Sequence, residues 1–337
     1  MLNKAFIDLN LLVKNALSVK EKLNEGVKFC AVVKADAYGH GAPVIASALY
    51  PYVDYYAVAL FEEAFTLRYA GIDKPILCLT PFFNDELDGA VELELTATVC
   101  NAEQVLALER VAESKKKIVN VHIKFNAGMN RQGCDLKTLA ELLALIKGCK
   151  WVKLDGVYSH FSSPENKKTR IFQQNKFLLA NNLVKGYNNK AICHISASGG
   201  FLRGVQADMV RIGILLYGYK PFESDLVSVK PIMRVYAPVI ERRALKKGES
   251  ALYGDKCCQE DLSVSLVRYG YADGLNRNVI AGQFNNRCMD LTACVTDSAQ
   301  KIFPVMENAD VLAKEYGTIN YEILSKVALR AQKIYIR

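Results

Sequence analysis

CAVVKADAYGHG, residues 30–41, begins as a run of small and β-branched residues and delivers a single lysine, Lys34, where that run ends. Such a run reads as a parallel strand buried on both faces. Seven similar runs follow: YYAVAL (55–60), PILCLT (75–80), TATVC (96–100), VNVHIKF (119–125), LDGVYSHF (154–161), AICHIS (191–196) and MVRIGIL (209–215). Between them lie amphipathic stretches such as FEEAFTLRYAG, NAEQVLALERVAES and LKTLAELLALIKG, with Asn101 suited to an N-cap and Gly71 and Gly148 to helix ends. Eight strands alternating with helices predict an α/β fold, a (β/α)8 TIM-type barrel.

Past Pro221 the pattern changes. IMRVYAPVIERRAL, SVSLVRYGYA and RCMDLTACVTD alternate like strands, turns are expected at Lys247-Gly248 and around Gly274, and ADVLAKEYG alone looks helical. The chain therefore divides into a barrel over residues 1–225 and a mostly β C-terminal domain over 226–337. A strand over 5–10 can join the second domain.

The 337 residues exceed one ordinary domain. The net charge of +8 comes from 43 scattered basic residues, and the densest run, Lys115-Lys116-Lys117, reads as a solvated turn, so no nucleic-acid partner is expected. No long apolar window without charges occurs, and the first residues lack the apolar core of a secretory signal. These features predict a cytoplasmic protein, no membrane association, and ten cysteines kept as free thiols. Cys257-Cys258 and Cys288 have no His or Cys at zinc spacing, so no metal site is expected.

Barrel chemistry sits at the C-terminal ends of the strands. There the sequence offers Lys34 then Tyr38, Lys124 then Arg131, His160, Ser198 with Gly199-Gly200, and Arg211 then Gly213. A desolvated lysine has a lowered pKa and is suited to form an imine with an aldehyde. Backbone amides of the SGG stretch and of Gly213-Ile214 can approach an anion closely. Singly each feature is ordinary: SGG is a common turn, His160 and His194 fit satisfied core histidines, and Arg211 fits an ion pair. Together a lysine, phosphate loops and an arginine in one barrel suggest a pyridoxal phosphate site.

At this point the chain resembles the alanine racemase family. AVVKADAYGHG is similar to that family's cofactor-lysine motif, and the resemblance continues through GMNRQG (128–133), GVYSHFSS (156–163), HISASGG (194–200), MVRIGILLYG (209–218), YGYADGLNR (269–277), RCMDL (287–291) and GTINYEIL (317–324). The resemblance implies the barrel plus a β-rich C-terminal domain, pyridoxal 5'-phosphate as cofactor, and interconversion of L- and D-alanine that supplies D-alanine for peptidoglycan. Lys34 matches the Schiff-base lysine and Tyr271 the second catalytic base. Tyr38, Ser198, Gly213 and Ile214 match phosphate contacts, His160 the histidine beside the pyridine ring, and Arg211 the arginine on the ring nitrogen. Arg131 and Met289 match substrate-site residues. In this family the tyrosine and methionine reach the partner subunit's site, which implies a homodimer with shared active sites.

Two bases suit the reaction, because one base does not easily serve both faces of Cα. A phenol with a pKa of about 10 needs help from its surroundings to act at neutral pH. Arg211 donates to the ring nitrogen without releasing its proton, which limits the cofactor as an electron sink. The chain departs from the family at Asn126, where aspartate is usual beside Arg131, at Arg287 in FNNRCMD, at RAQ (330–332), and at Leu329, a tyrosine in some members. Lys124 aligns with a lysine that is carbamylated in some members. A broader amino-acid racemase is the nearest alternative. A non-catalytic pyridoxal-phosphate-binding barrel lacks the second domain and Tyr271, and a decarboxylase of similar layout pairs the ring nitrogen with a carboxylate where this chain has Arg211.

Overall fold

The computed structural model describes residues 2–250, 253, 257–277, 286–296 and 301–337. β1 (Lys4–Asp8) leads directly into α1 (Leu9–Lys20). The strand expected over 5–10 stops at Asp8, whose carboxylate accepts the Leu11 N–H at 2.8 Å and starts the helix.

All eight apolar runs form strands: β2 (Lys28–Val32), β3 (Tyr55–Val58), β4 (Ile76–Cys78), β5 (Ala97–Val99), β6 (Val119–Lys124), β7 (Val152–Tyr158), β8 (Ile192–His194) and β9 (Met209–Ile212). They pair in parallel as β4-β3-β2-β9 and β5-β6-β7-β8. Cys78 N–H to Thr96 O joins β4 toward β5, and Arg211 N–H to Ser196 O joins β9 to the segment after β8, each at 3.0 Å, so the ring closes. Helices pack outside through apolar faces such as Leu139, Leu142, Leu143 and Ile146, fully or nearly fully buried against the strands. Asn101 caps the helix Ala102–Lys115 by accepting from Gln104 N–H, as its position predicts.

The remaining strands are β10 (Met233–Leu245), β11 (Leu262–Val267), β12 (Asn286–Arg287), β13 (Thr292–Val295), β14 (Ile302–Met306) and β15 (Gln332–Ile336). With β1 they build a seven-stranded sheet in the order β12-β13-β11-β10-β1-β15, and β14 pairs with β10. β1 runs antiparallel to β10 and parallel to β15. Besides the expected helix Ala309–Glu315, a second helix, Asn320–Val327, begins in the stretch read only as motif and runs past it, with Ile323, Leu324 and Val327 on its buried face.

The chain falls into two compact units: one holds the residues up to Leu12, Asp36–Gly41 and the described residues of Lys230–Arg337, the other Val13–Ala35 and Ala42–Val229. Asp36–Gly41 thus clusters with the C-terminal strands although it lies between barrel strands in sequence. Among the described residues no helix is long and apolar enough to cross a membrane.

Candidate active site

The strand read as ending in Lys34 stops at Val32, and Lys34 is the first residue of α2 (Lys34–Gly39). Glu63 fixes this junction. Its Oε1 accepts the Ala35 N–H at 2.6 Å, while Oε2 accepts the Ala59 and Leu60 N–H groups at 2.7 and 3.2 Å. Burial pushes the Lys34 ammonium pKa down and nearby Arg131 pushes it further, against the opposing charge of Glu63. Glu63 was not among the residues singled out from sequence; its signal was a glutamate at the third position of the helix Phe61–Tyr69, where it can reach back to free amides.

The barrel unit concentrates positive charge around this point. Lys124, at the end of β6, is buried with its Nζ 3.9 Å from the centre of the Tyr158 ring. Burial, then Arg211 and Arg131, pull its pKa well down. The His160 imidazole is pushed well down by burial and by Arg211, Lys124, Arg131 and Lys34. Asn126 contributes no charge, and its side chain organises its own turn, accepting from Gly128 and Asn130 N–H at 3.0 and 3.1 Å.

Arg211, on β9, is 3% exposed. Nη1 donates to His194 Nδ1 at 2.5 Å, and Nη2 donates to Ser159 O at 2.7 Å and Ile195 O at 3.2 Å, with His160 Nδ1 at 3.3 Å. Burial pulls its pKa down to about 10, which leaves it charged at neutral pH. The Nη groups are therefore occupied, and Nε–H has no partner among the described residues. Close by in sequence, Gly213 N–H donates to Ser198 Oγ at 3.2 Å, which puts Ser198, Gly213 and Ile214 at one place. The glycines of SGG serve packing: a Cβ on Gly199 would lie 2.6 Å from Pro164, and one on Gly200 2.6 Å from Ser196 Oγ.

α2 is left-handed. Ala35, Asp36, Ala37 and Tyr38 have φ of 52–54° and Gly39 has 80°, a conformation that costs L-residues about 1–2 kcal/mol each. Offsetting contacts come from the unit that holds residues 36–41. The buried His40 Nδ1 lies 2.9 Å from both Ala37 O and Tyr38 O, and Lys333 pairs with Asp36 at 3.0 Å. Tyr335 donates to His40 O at 3.1 Å, and the Tyr38 ring lies 5.9 Å from that of Tyr321. A Cβ on Gly39 would meet Leu324 O, and one on Gly41 would meet the Tyr335 hydroxyl. The tyrosine, glycines and histidine after Lys34 are thus the parts of a reversed turn.

Tyr271 and Met289 lie together in that same unit. Tyr271 N–H donates to Cys288 O at 3.1 Å, and Ala272 N–H to Met289 O at 3.0 Å. Both side chains are open to solvent in the single chain, 38% for Tyr271 and 54% for Met289. Tyr271 lines a cavity of about 390 Å³ with Tyr316, Glu322, Lys326 and Leu329. Arg330, noted from sequence only as part of a motif, ties the two turns together by pairing with Asp273 at 3.5 Å and Asp290 at 2.8 Å.

A phosphorylated pyridine aldehyde suits the barrel residues. The Ser198 hydroxyl beside the Gly213 amide suits its phosphate, a lysine biased toward its free amine suits its aldehyde, and the leftover Nε–H of a buried guanidinium suits its ring nitrogen. The family model described as the N-terminal domain of alanine racemase matches residues 7–221, and that for the C-terminal domain matches residues 232–335. The alanine racemase of Treponema denticola is 33% identical over 371 aligned residues, covering 99% of this chain and 98% of that protein. That of Prochlorococcus marinus is 36% identical over 276, covering 78% of this chain and 72% of that protein. Among solved structures, the alanine racemase of Clostridium difficile matches with a TM-score of 0.92 at 29% identity, over 100% of this chain and 96% of that one. The Bacillus anthracis alanine racemase, solved with bound L-Ala-P, matches at 0.90 and 27%, over 99% and 95%. Matched over both of its parts, with relatives above 30% identity along most of its length, the chain belongs to the alanine racemase family.

Proposed function

We propose that the protein interconverts L- and D-alanine with pyridoxal 5'-phosphate and works as a homodimer. The observation that carries this reading is Arg211: a buried guanidinium, clamped through its Nη groups, with only Nε–H left to donate. Lys34 would bond the cofactor through its amine, and Ser198, Gly213 and Ile214 would hold its phosphate, with Tyr38 the further phosphate contact that the family resemblance implies. His160, held next to Arg211, would help hold the ring. When bound, the cofactor supplies an electron sink that lets the Cα–H of alanine ionise. Arg211 would donate from Nε to the ring nitrogen without giving up its own proton, a guanidinium there would leave that nitrogen unprotonated, and competing reactions would be held down. Arg131 meets the substrate carboxylate. Lys34 moves the proton on one face of Cα, and Tyr271 from the second copy, with Met289 beside it, serves the other face.

The exposure of Tyr271 and Met289 in the single chain supports the dimer reading. Ten free cysteines suit a reducing compartment such as the cytoplasm, where the D-alanine made would supply a bacterial cell wall. The test is incubation of the purified holoprotein with a panel of L-amino acids, followed by chiral chromatography. D-alanine should accumulate to equal parts with L-alanine, and borohydride should fix the cofactor to the peptide bearing Lys34. No D-alanine from an enzyme loaded with cofactor, or label on another lysine, sinks the reading; several D-products would broaden the substrate class.

A further inference from the structure

The ladder between β6 and β7 contains an irregularity: Val121 faces Leu154 and His122 faces Gly156, so Asp155 is an extra residue on β7. A bulge of this kind re-aims the side chain it carries. Asp155 Oδ2 receives the Tyr55 hydroxyl at 2.9 Å and lies 3.0 Å from His122 Nε2. His122 Nδ1 lies 2.9 Å from His194 Nε2, and His194 Nδ1 is the atom facing Arg211 Nη1. Both imidazoles are fully buried, and a Cβ on Gly156 would come 2.7 Å from His122 Cε1, so the glycine makes the seat for that ring. Tyr158 stacks on His194 at 5.1 Å between centroids and 8° between planes.

The ends of this row fix its interior. A guanidinium only donates and an ionised carboxylate only accepts. Burial opposes the Asp155 charge, but hydrogen bonds from His122 and Tyr55 hold its carboxyl below the usual range. Arg211 must then donate to His194 Nδ1, so the His194 proton sits on Nε2 and is given to His122 Nδ1. The His122 proton in turn sits on Nε2 and is given to Asp155. Reversing any one bond sets two donors face to face somewhere along the row.

We infer that Asp155 is a positioning residue for racemisation: through the tautomers of His122 and His194 it fixes the bonds of the Arg211 Nη groups and leaves Nε–H free for the ring nitrogen. This rests on the reading of Arg211 given above. An amide at 155 can offer NH₂ to His122 and invert the row, ending with a proton on His194 Nδ1 against the guanidinium.

The experiment is ¹⁵N-histidine NMR and racemisation kinetics on the holoprotein, on Asp155→Asn and on Asp155→Glu. In the native protein both histidines should show unprotonated Nδ1 and protonated Nε2. Asp155→Asn should move protons onto Nδ1 and lower kcat by roughly ten- to a hundredfold with KM for L-alanine within about twofold, and Asp155→Glu should restore both readouts. A proton on Nδ1 of either native histidine overturns the inference even if Asp155→Asn does not fold. So does an Asp155→Asn enzyme with native tautomers and native kcat. A native spectrum as expected in a protein that racemises nothing would support the row of bonds and fail the racemase reading separately.

Discussion

Lys34 and Tyr271, the two bases proposed for Cα, stand in unlike surroundings. The lysine is pushed toward its free amine by burial and by Arg211's neighbour Arg131, whereas the tyrosine stands on an exposed turn braced by Arg330. If they serve opposite faces, removing one leaves the other competent. Tyr271→Phe should nearly abolish racemisation, yet in deuterated water it should still exchange the α-hydrogen of D-alanine through Lys34. Exchange of L-alanine should slow by about 10²–10⁴, the usual cost of a missing general base, as read by proton NMR. Equal exchange of both enantiomers would mean that one base or a water serves both faces. At this scale the places of Lys34, Lys124 and Arg211, at or near strand ends, were legible because apolar runs announce them. Arg330 and Asp155 were not, since each acts by bonding residues distant in sequence, and Glu63 offered only its local place near the start of a helix, not its bond to Ala35.

The strands were legible as elements because burial on both faces leaves a nearly continuous apolar run, and each of the eight barrel strands carries one. Other elements defeat the same reading. The helix Asn320–Val327 buries only a narrow stripe between polar residues, the bulge at Asp155 leaves no compositional trace, and α2 runs left-handed through four residues that are not glycine. At Gly39, α2 also packs too closely against Leu324 to leave room for a Cβ. Gly26 shares its backbone angle, φ 77° against 80°, but nothing lies within 4 Å of its missing Cβ. Gly26→Ala should therefore cost about 1 kcal/mol from the backbone alone. Gly39→Ala, driving a methyl into Leu324 O, should cost about 3 kcal/mol or more and depress activity, because Lys34 begins the same turn. Urea unfolding of the two variants checks this; equal losses would show that packing at Gly39 does not matter.

Across the whole molecule, acid should act on three of the four histidines together. Burial lowers the pKa of His40 to about 4 and pulls His160 and His194 well below the usual value. In the unfolded chain all three protonate near pH 6.5, so below that the unfolded state binds protons the native state refuses. Stability is complete above about pH 7 and falls as pH drops through 6.5, continuing toward pH 4 for His40. Each histidine contributes a slope of about 1.4 kcal/mol per pH unit. Urea midpoints measured between pH 7.5 and 5 should decline accordingly, and a flat profile would contradict the buried neutral imidazoles. Assembly is testable at the same scale. Inactive Lys34→Ala and Tyr271→Phe proteins, mixed under conditions that exchange subunits, should regain activity, because a mixed dimer holds one intact pair of bases. No recovery after proven exchange would assign both bases to one chain.

The reversed turn at α2 carries a last consequence, one of handedness. Ala35, exposed and at φ 52°, adopts the backbone that the mirror-image amino acid prefers. A protein proposed to invert alanine thus keeps, next to Lys34, one of its own alanines in the shape native to the other enantiomer. A chain assembled by chemical ligation with D-alanine at position 35 should fold to the same structure and unfold about 1 kcal/mol less readily than the all-L chain. For nearly any other alanine of the described barrel helices, the same exchange should be destabilising.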